Sequence, residues 1–231
     1  MNRKVRVAVF ISGRGSNLRA LMDACAESSY PAEIVLVICN RREALGYFRA
    51  ARSGSVPCEL LANPDRVQFA AEADKLLKEF DIDLVALAGF MKILDTAFVE
   101  KWRDRMLNIH PSLLPNFPGL HAQKQALEAG VRFSGCTVHF VRPEVDSGPI
   151  VAQGIVEVHP DDDETSLSDR ILQLEHKLYL HAIRLFAEGR LQVVDERVKV
   201  SGWSAPRVRA INPDDSLVPS ISPELPLRRT G

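Results

Sequence analysis

The chain has 231 residues, with 29 Lys and Arg against 30 Asp and Glu, a formal net charge of −1. At roughly 100–200 residues per domain, that length gives one large domain, or one domain with an appendage, and a real core. Near-neutral charge argues against a general nucleic-acid binder, and no apolar run approaches the roughly 20 residues that span a bilayer.

The opening MNRKVRVAVFISGRG runs from basic residues through the apolar stretch Val5–Ile11 into a glycine turn, and reads as a first strand, not a signal peptide. Short runs rich in Val, Ile and Leu recur at residues 33–39, 58–62 and 83–88. Helical spacing fills the gaps at residues 17–26, 44–52 and 64–80, where Asn63 suits a cap and Pro64 the first turn. Continuously apolar strands alternating with helices predict an α/β fold: a doubly wound, mostly parallel, Rossmann-like sheet with helices on both faces.

The second half changes character. A short strand at 106–109 leads into HPSLLPNFPGLH, where Pro111, Pro115 and Pro118 enforce a structured loop. Residues 134–142 and 150–158 read as strands joined by PEVDSGP, an antiparallel C-terminal edge. A long helix follows at 165–188, with an apolar stripe through Leu167, Ile171, Leu174, Leu178, Ala182 and Leu185. The fold is expected to end near Val194. Residues 1–200 then form the catalytic domain, and residues 201–231, with Pro206, Pro213, Pro219, Pro223 and Pro226, a mobile tail. Cys25, Cys39, Cys58 and Cys136 show no ligand spacing, so reduced thiols in a cytoplasmic protein and no metal site are expected.

Three stretches carry the chemistry. SGRGSN lies between the first strand and the first helix, so the amides of Gly15, Ser16 and Asn17 would point from a helix N-terminus at an anion such as phosphate. It lacks the Lys of a nucleotide-hydrolase P-loop and the third glycine of a dinucleotide fingerprint. LAGFMKIL places Gly89 just after the fourth strand, with Phe90 and Met91 as an apolar wall for a ligand or as core packing. In NIHPSLLP, Asn108 and His110 are two apart at a strand end and leave on one face. An amide beside an imidazole suits oxyanion stabilisation and proton transfer, and Pro115 is placed to be cis. Asp146, in the turn VRPEVDSGPI, would favour protonated His110 if brought beside it; turn chemistry alone makes it an ordinary turn aspartate. Glu175 flanks the apolar stripe of the last helix, to meet a polar ligand group or to line a solvated edge. The other histidines, His139 included, have no spacing that proposes a role.

SGRGSN, LAGFMKIL, NIHPSLLPNFPGLHAQKQAL, GCTVHFVRPEVDSGPIVAQ and LEHKLY, in this order, closely resemble the phosphoribosylglycinamide formyltransferases, folate-dependent enzymes of purine biosynthesis, over about residues 5–195. The resemblance implies transfer of a formyl group from 10-formyltetrahydrofolate, as co-substrate, to the amine of glycinamide ribonucleotide. It implies that Gly15, Ser16 and Asn17 hold the substrate phosphate and that Glu175 contacts the glycinamide substrate. Arg66, with the backbone around Met91, Lys92, Ile93 and Leu94 and around Arg142, Pro143, Glu144 and Val145, would line the folate site. Asn108, His110 and Asp146 match the catalytic trio. Leu172, three before Glu175, stands where the family has a polar side chain. Small-molecule substrates are expected, with no nucleic acid, membrane or metal; the oligomeric state, a homodimer included, is not written in the sequence. A formyltetrahydrofolate hydrolase and a non-catalytic nucleotide or folate sensor are the alternatives.

Overall fold

The apolar runs form β1 (Val5–Ile11), β2 (Ala32–Cys39), β3 (Cys58–Leu60), β4 (Leu84–Leu87) and β5 (Met106–His110). In a computed structural model that describes residues 3–202 apart from residue 55, these join β6 (Phe133–Phe140) and β7 (Ile150–Glu157) in one sheet. The order is β3-β2-β1-β4-β5-β6-β7; β1 to β5 pair in parallel, and the β5–β6 and β6–β7 pairs are antiparallel. The expected doubly wound sheet with an antiparallel edge is the one observed.

Helices α1 (Ser16–Cys25), α2 (Leu45–Ser53), α3 (Arg66–Glu79), α4 (Thr96–Lys101), α5 (Ala122–Glu128) and α6 (Glu164–Ala187) complete the sheet's cover. The two-residue period of β1 divides the core. Val7, Val9 and Ile11 pack with Leu18 and Leu21 of α1 and Tyr179 and Ile183 of α6. Ala8 and Phe10 face the opposite way, onto Phe69, Ala73 and Leu77 of α3 and Phe98 of α4. Both faces of the strands are therefore apolar.

Several local expectations are corrected. Helix α3 is capped by Asp65, whose side chain accepts from the Gln68 amide, while Asn63 and Pro64 precede the helix. The six residues of α4 and seven of α5 make too few turns to show a period in the sequence. On α6 the buried row is Leu167, Ile171, Glu175, Tyr179 and Ala182, whereas Leu174 and Leu178 are only half-buried. Glu175 thus lies inside the buried face and does not flank it. Asp163 and Ser166 cap this helix reciprocally.

The fold also runs past Val194. Strands β8 (Leu191–Val194) and β9 (Arg197–Val200) form a separate antiparallel hairpin. Most of the expected tail, residues 203–231, lies outside the described residues.

Strand order reverses at β1, which lies between β2 and β4, so the crevice of the sheet opens at the carboxyl ends of β1 and β4. Phe10 pairs with Leu87 and Leu87 with Asn108, which brings the ends of β1, β4 and β5 to a common edge.

Candidate active site

At the end of β1 the chain turns through Gly15 at φ +73°, which caps α1 without a side-chain hydrogen bond. The first amides of α1 carry the positive end of the helix dipole and take no side-chain cap. A Cβ on Gly15 would lie 2.7 Å from Gly46 Cα, and Gly46 N donates to Gly13 O at 3.0 Å, so the start of α2 buttresses the turn. The Asn17 side chain faces inward: Nδ2 donates to Glu175 Oε2 at 2.8 Å, and Oδ1 is buried with no partner among the described residues. Burial pushes the Glu175 carboxyl up to about 7, with the Asn17 contact pulling weakly the other way. Leu172, half-buried on the same helix, offers no polar atom.

The loop after β4 meets this turn. Ser12 N donates to Gly89 O at 3.1 Å, and Ser12 Oγ accepts from Met91 N at 2.8 Å while donating to Asn40 Oδ1 at 2.7 Å. Phe90 turns into the core against Phe10 and Phe69, so the apolar wall falls to Met91 and Ile93, both about half exposed. Lys92 Nζ donates to Pro64 O at 2.7 Å, which ties this loop to the start of α3, where exposed Arg66 stands. Leu94 packs on the same core cluster as Val141, the residue before Arg142.

Asn108, His110 and Asp146 come together. His110 Nδ1 lies 3.2 Å from Asp146 Oδ2, and Asn108 Nδ2 donates to Asp146 Oδ1 at 3.4 Å. His110 Nε2 lies 2.9 Å from the Phe117 carbonyl, in the loop whose Leu114–Pro115 peptide is cis as expected. With an acceptor at each nitrogen, the ring is placed to donate from both. The Gly119 amide donates to Asp146 Oδ2 at 2.8 Å. Burial works to raise the Asp146 pKa, but contacts with His139 and the Gly119 amide and the charges of His110 and His139 outweigh it, holding the carboxyl below its ordinary value.

His139 is the residue the sequence does not reveal. Antiparallel register sets it opposite Asn108, with Nε2 at 3.2 Å from Asn108 Nδ2 and 3.6 Å from Asp146 Oδ1. With its proton on Nδ1, which faces the Phe140 carbonyl at 2.9 Å, it accepts from Asn108 at Nε2. Tyr179, one turn beyond Glu175, has its hydroxyl 3.0 Å from the carbonyls of both Leu87 and Leu107, which share its one proton, and so seats α6 against β4 and β5.

Of the 142–145 segment, Pro143 is half-buried and Glu144 and Val145 are exposed. The Arg142 side chain is buried in ion pairs with Asp104 and Glu196 and leaves only its backbone for a ligand. Among the described residues, no group of three or more His, Cys, Asp or Glu side chains is arranged to hold a metal ion.

A glycine turn at an uncapped helix N-terminus, an amide–imidazole–carboxylate trio and a buried carboxyl lie along one sheet edge of a doubly wound fold, the arrangement of an enzyme site. The chain belongs to the formyl transferase family, whose model matches residues 5–183. It is 40% identical over 205 residues to the phosphoribosylglycinamide formyltransferase of Escherichia coli (strain K12), covering 87% of this chain and 96% of that one. The crystal structure of glycinamide ribonucleotide transformylase 1 from Symbiobacterium toebii superposes with a TM-score of 0.82 at 46% identity, covering 87% of this chain and 95% of that chain. The chain is also 50% identical over 196 residues to the trifunctional purine biosynthetic protein adenosine-3 of Drosophila pseudoobscura pseudoobscura. That match covers 83% of this chain but only 14% of the longer relative.

Proposed function

We propose that the protein transfers the formyl group of 10-formyltetrahydrofolate to the amine of glycinamide ribonucleotide by direct attack. The observation that carries this reading is the meeting of Asn108, His110 and Asp146 on a sheet edge shared with the uncapped N-terminus of α1 and with Glu175. The amides of Gly15, Ser16 and Asn17 hold the nucleotide phosphate. Asn17 Oδ1, buried and without a donor among the described residues, and Glu175 receive the donor groups of the ribosyl-glycinamide part. Arg66, Met91, Lys92, Ile93 and Leu94, with the backbone of Arg142, Pro143, Glu144 and Val145, line the folate.

The nucleotide amine attacks the formyl carbon, and the formyl oxygen becomes an oxyanion that takes one N–H from Asn108, in place of its long contact with Asp146, and the Nε2 proton of His110, in place of the Phe117 carbonyl. Asp146 Oδ2, 3.2 Å from His110 Nδ1, fixes the orientation of the ring. Collapse breaks the bond to the folate nitrogen. His110 gives a proton to that leaving nitrogen and then recovers one from the attacking amine, which returns the ring to its starting state. Direct attack is also in keeping with Cys136 on β6, a poor nucleophile because burial pushes its thiol up to about 12. The substrates are small molecules. Cys25, Cys39, Cys58 and Cys136, all unpaired, suit a cytoplasmic enzyme, and the chemistry calls for no metal.

Incubation with 10-formyltetrahydrofolate, followed by folate absorbance, tests the proposal. Release of tetrahydrofolate that depends on glycinamide ribonucleotide is the expected result. Release without the nucleotide would make the protein a hydrolase, and no release with either would leave a binding protein.

A further inference from the structure

The segment carrying Asp146 leaves β6 through Arg142 and returns to β7 at Ile150, on a tight stem. Phe140 N donates to Pro149 O at 2.9 Å, and a Cβ on Gly148 would lie 1.8 Å from the Phe140 carbonyl oxygen and 3.2 Å from Arg142 Cγ. Arg142 stands at that stem with its side chain 6% exposed. Its Nε donates to Glu196 Oε2 at 2.6 Å, its Nη2 to Asp104 Oδ1 at 2.7 Å, and its Nη1 to the Val141 carbonyl at 3.0 Å. The second Glu196 oxygen pairs with Arg103. The Arg142 contact holds the Glu196 carboxyl below its ordinary value. One carboxylate thus ties the tip of the β8–β9 hairpin both to the stem of the Asp146 loop and to the turn that enters β5, the strand of Asn108 and His110.

The backbone of that tip is an independent observation. Asp195 and Glu196 form the two-residue connection between β8 and β9, with φ at +49° and +53°. Tight hairpins of this kind favour Asn-Gly or Asp-Gly, because both central residues take left-handed backbone. Asp195 meets that preference. Glu196 places a long side chain where glycine is unstrained, and a turn that only reversed the chain would have no use for it. Its side chain is the one that reaches Arg142.

We propose that Glu196 is a positioning residue: through Arg142 it holds the 143–146 segment against the formyl-folate site and sets how Asp146 meets His110. This rests on the formyl-folate reading of that segment. Asp104 keeps Arg142 paired when Glu196 is removed, so the fold tolerates the change.

The test uses the full chain and compares Glu196→Gly with Glu196→Gln. Glu196→Gly removes the tie but relaxes the turn. It is expected to match or exceed the wild-type melting temperature while raising KM for 10-formyltetrahydrofolate about tenfold, since small misplacements at a reacting centre carry large rate effects. KM for the nucleotide should stay within about twofold by the same argument. Glu196→Gln, which keeps a hydrogen-bonding side chain of the same length, should recover part of the loss. Amide exchange at Gly119, whose N–H rests on Asp146, should be faster in Glu196→Gly with the core strands unchanged. A wild-type KM for the folate together with unchanged Gly119 exchange would overturn the proposal, as would a parallel rise in both KM values that tracks a falling melting temperature. If the wild-type protein transfers no formyl group, the functional reading fails, and Gly119 exchange alone still decides whether Glu196 positions Asp146.

Discussion

His110 and Asp146 meet at 3.2 Å, Nδ1 to Oδ2, with side chains only 6% and 9% exposed, although 36 positions (146 − 110) separate them in the chain. Removing the Asp146 charge with the isosteric Asp146→Asn keeps the packing but presents an amide to the imidazole. General acid–base contributions run to about 10²–10⁴, so kcat should fall by roughly 10³ with KM for the nucleotide little changed. Steady-state kinetics at neutral pH check this, and a kcat within tenfold of wild type would separate Asp146 from catalysis.

Asn108 donates to Asp146 at 3.4 Å and faces His139 at 3.2 Å, so its amide is fixed before substrate arrives. Loss of one preorganised oxyanion donor costs about 10²–10³ in turnover, and Asn108→Ala should lower kcat by that factor. Single-turnover rates with both substrates saturating give the number directly.

The sheet, its carboxyl edge and the Asn108–His110 pair were legible because each rests on short-range pattern, whereas Asp146 read as an ordinary turn aspartate and joined them only through the family resemblance. Apolar runs marked β1 to β5, and the two-residue spacing of Asn108 and His110 marked a shared face. The rest depends on contacts the pattern does not encode. His139 acquires its place from antiparallel register across a connection of more than twenty residues. Glu175 looked like a helix edge because a carboxylate breaks an apolar stripe, yet Asn17 gives it a buried partner. The β8–β9 hairpin alternates at Val198 and Val200 but has strands of only four residues, too short to stand out, and it holds to the molecule through Leu191, Val193 and Val198 on the core and through the Glu196–Arg142 pair.

Glu175 should trade stability for function. Its folded carboxyl titrates near pH 7 against an ordinary value of 4.5, so between those values the unfolded chain ionises while the folded one stays neutral. Stability therefore falls as pH rises through that window, and the full penalty is present above pH 7, up to about 3 kcal/mol at 1.36 kcal/mol per unit. Glu175→Gln removes it: the variant should be more stable than wild type at pH 8, equal to it near pH 4, and much weaker in nucleotide affinity. Urea unfolding at the two pH values checks the sign.

Gly15→Ala places a methyl 2.7 Å from Gly46 Cα in a left-handed turn. Strained backbone of this kind costs about 1–3 kcal/mol, and the displaced α1 amides should raise KM for the nucleotide more than KM for the folate. Thermal melts and two-substrate kinetics check both parts.

The most direct test of the account follows the formyl carbon itself. In a single turnover with 10-formyltetrahydrofolate labelled at that carbon and excess glycinamide ribonucleotide, all label should move to the nucleotide amine, with none on the protein at any time. Label recovered as formate, or carried on a protein side chain before reaching the nucleotide, would contradict direct transfer at Asn108, His110 and Asp146.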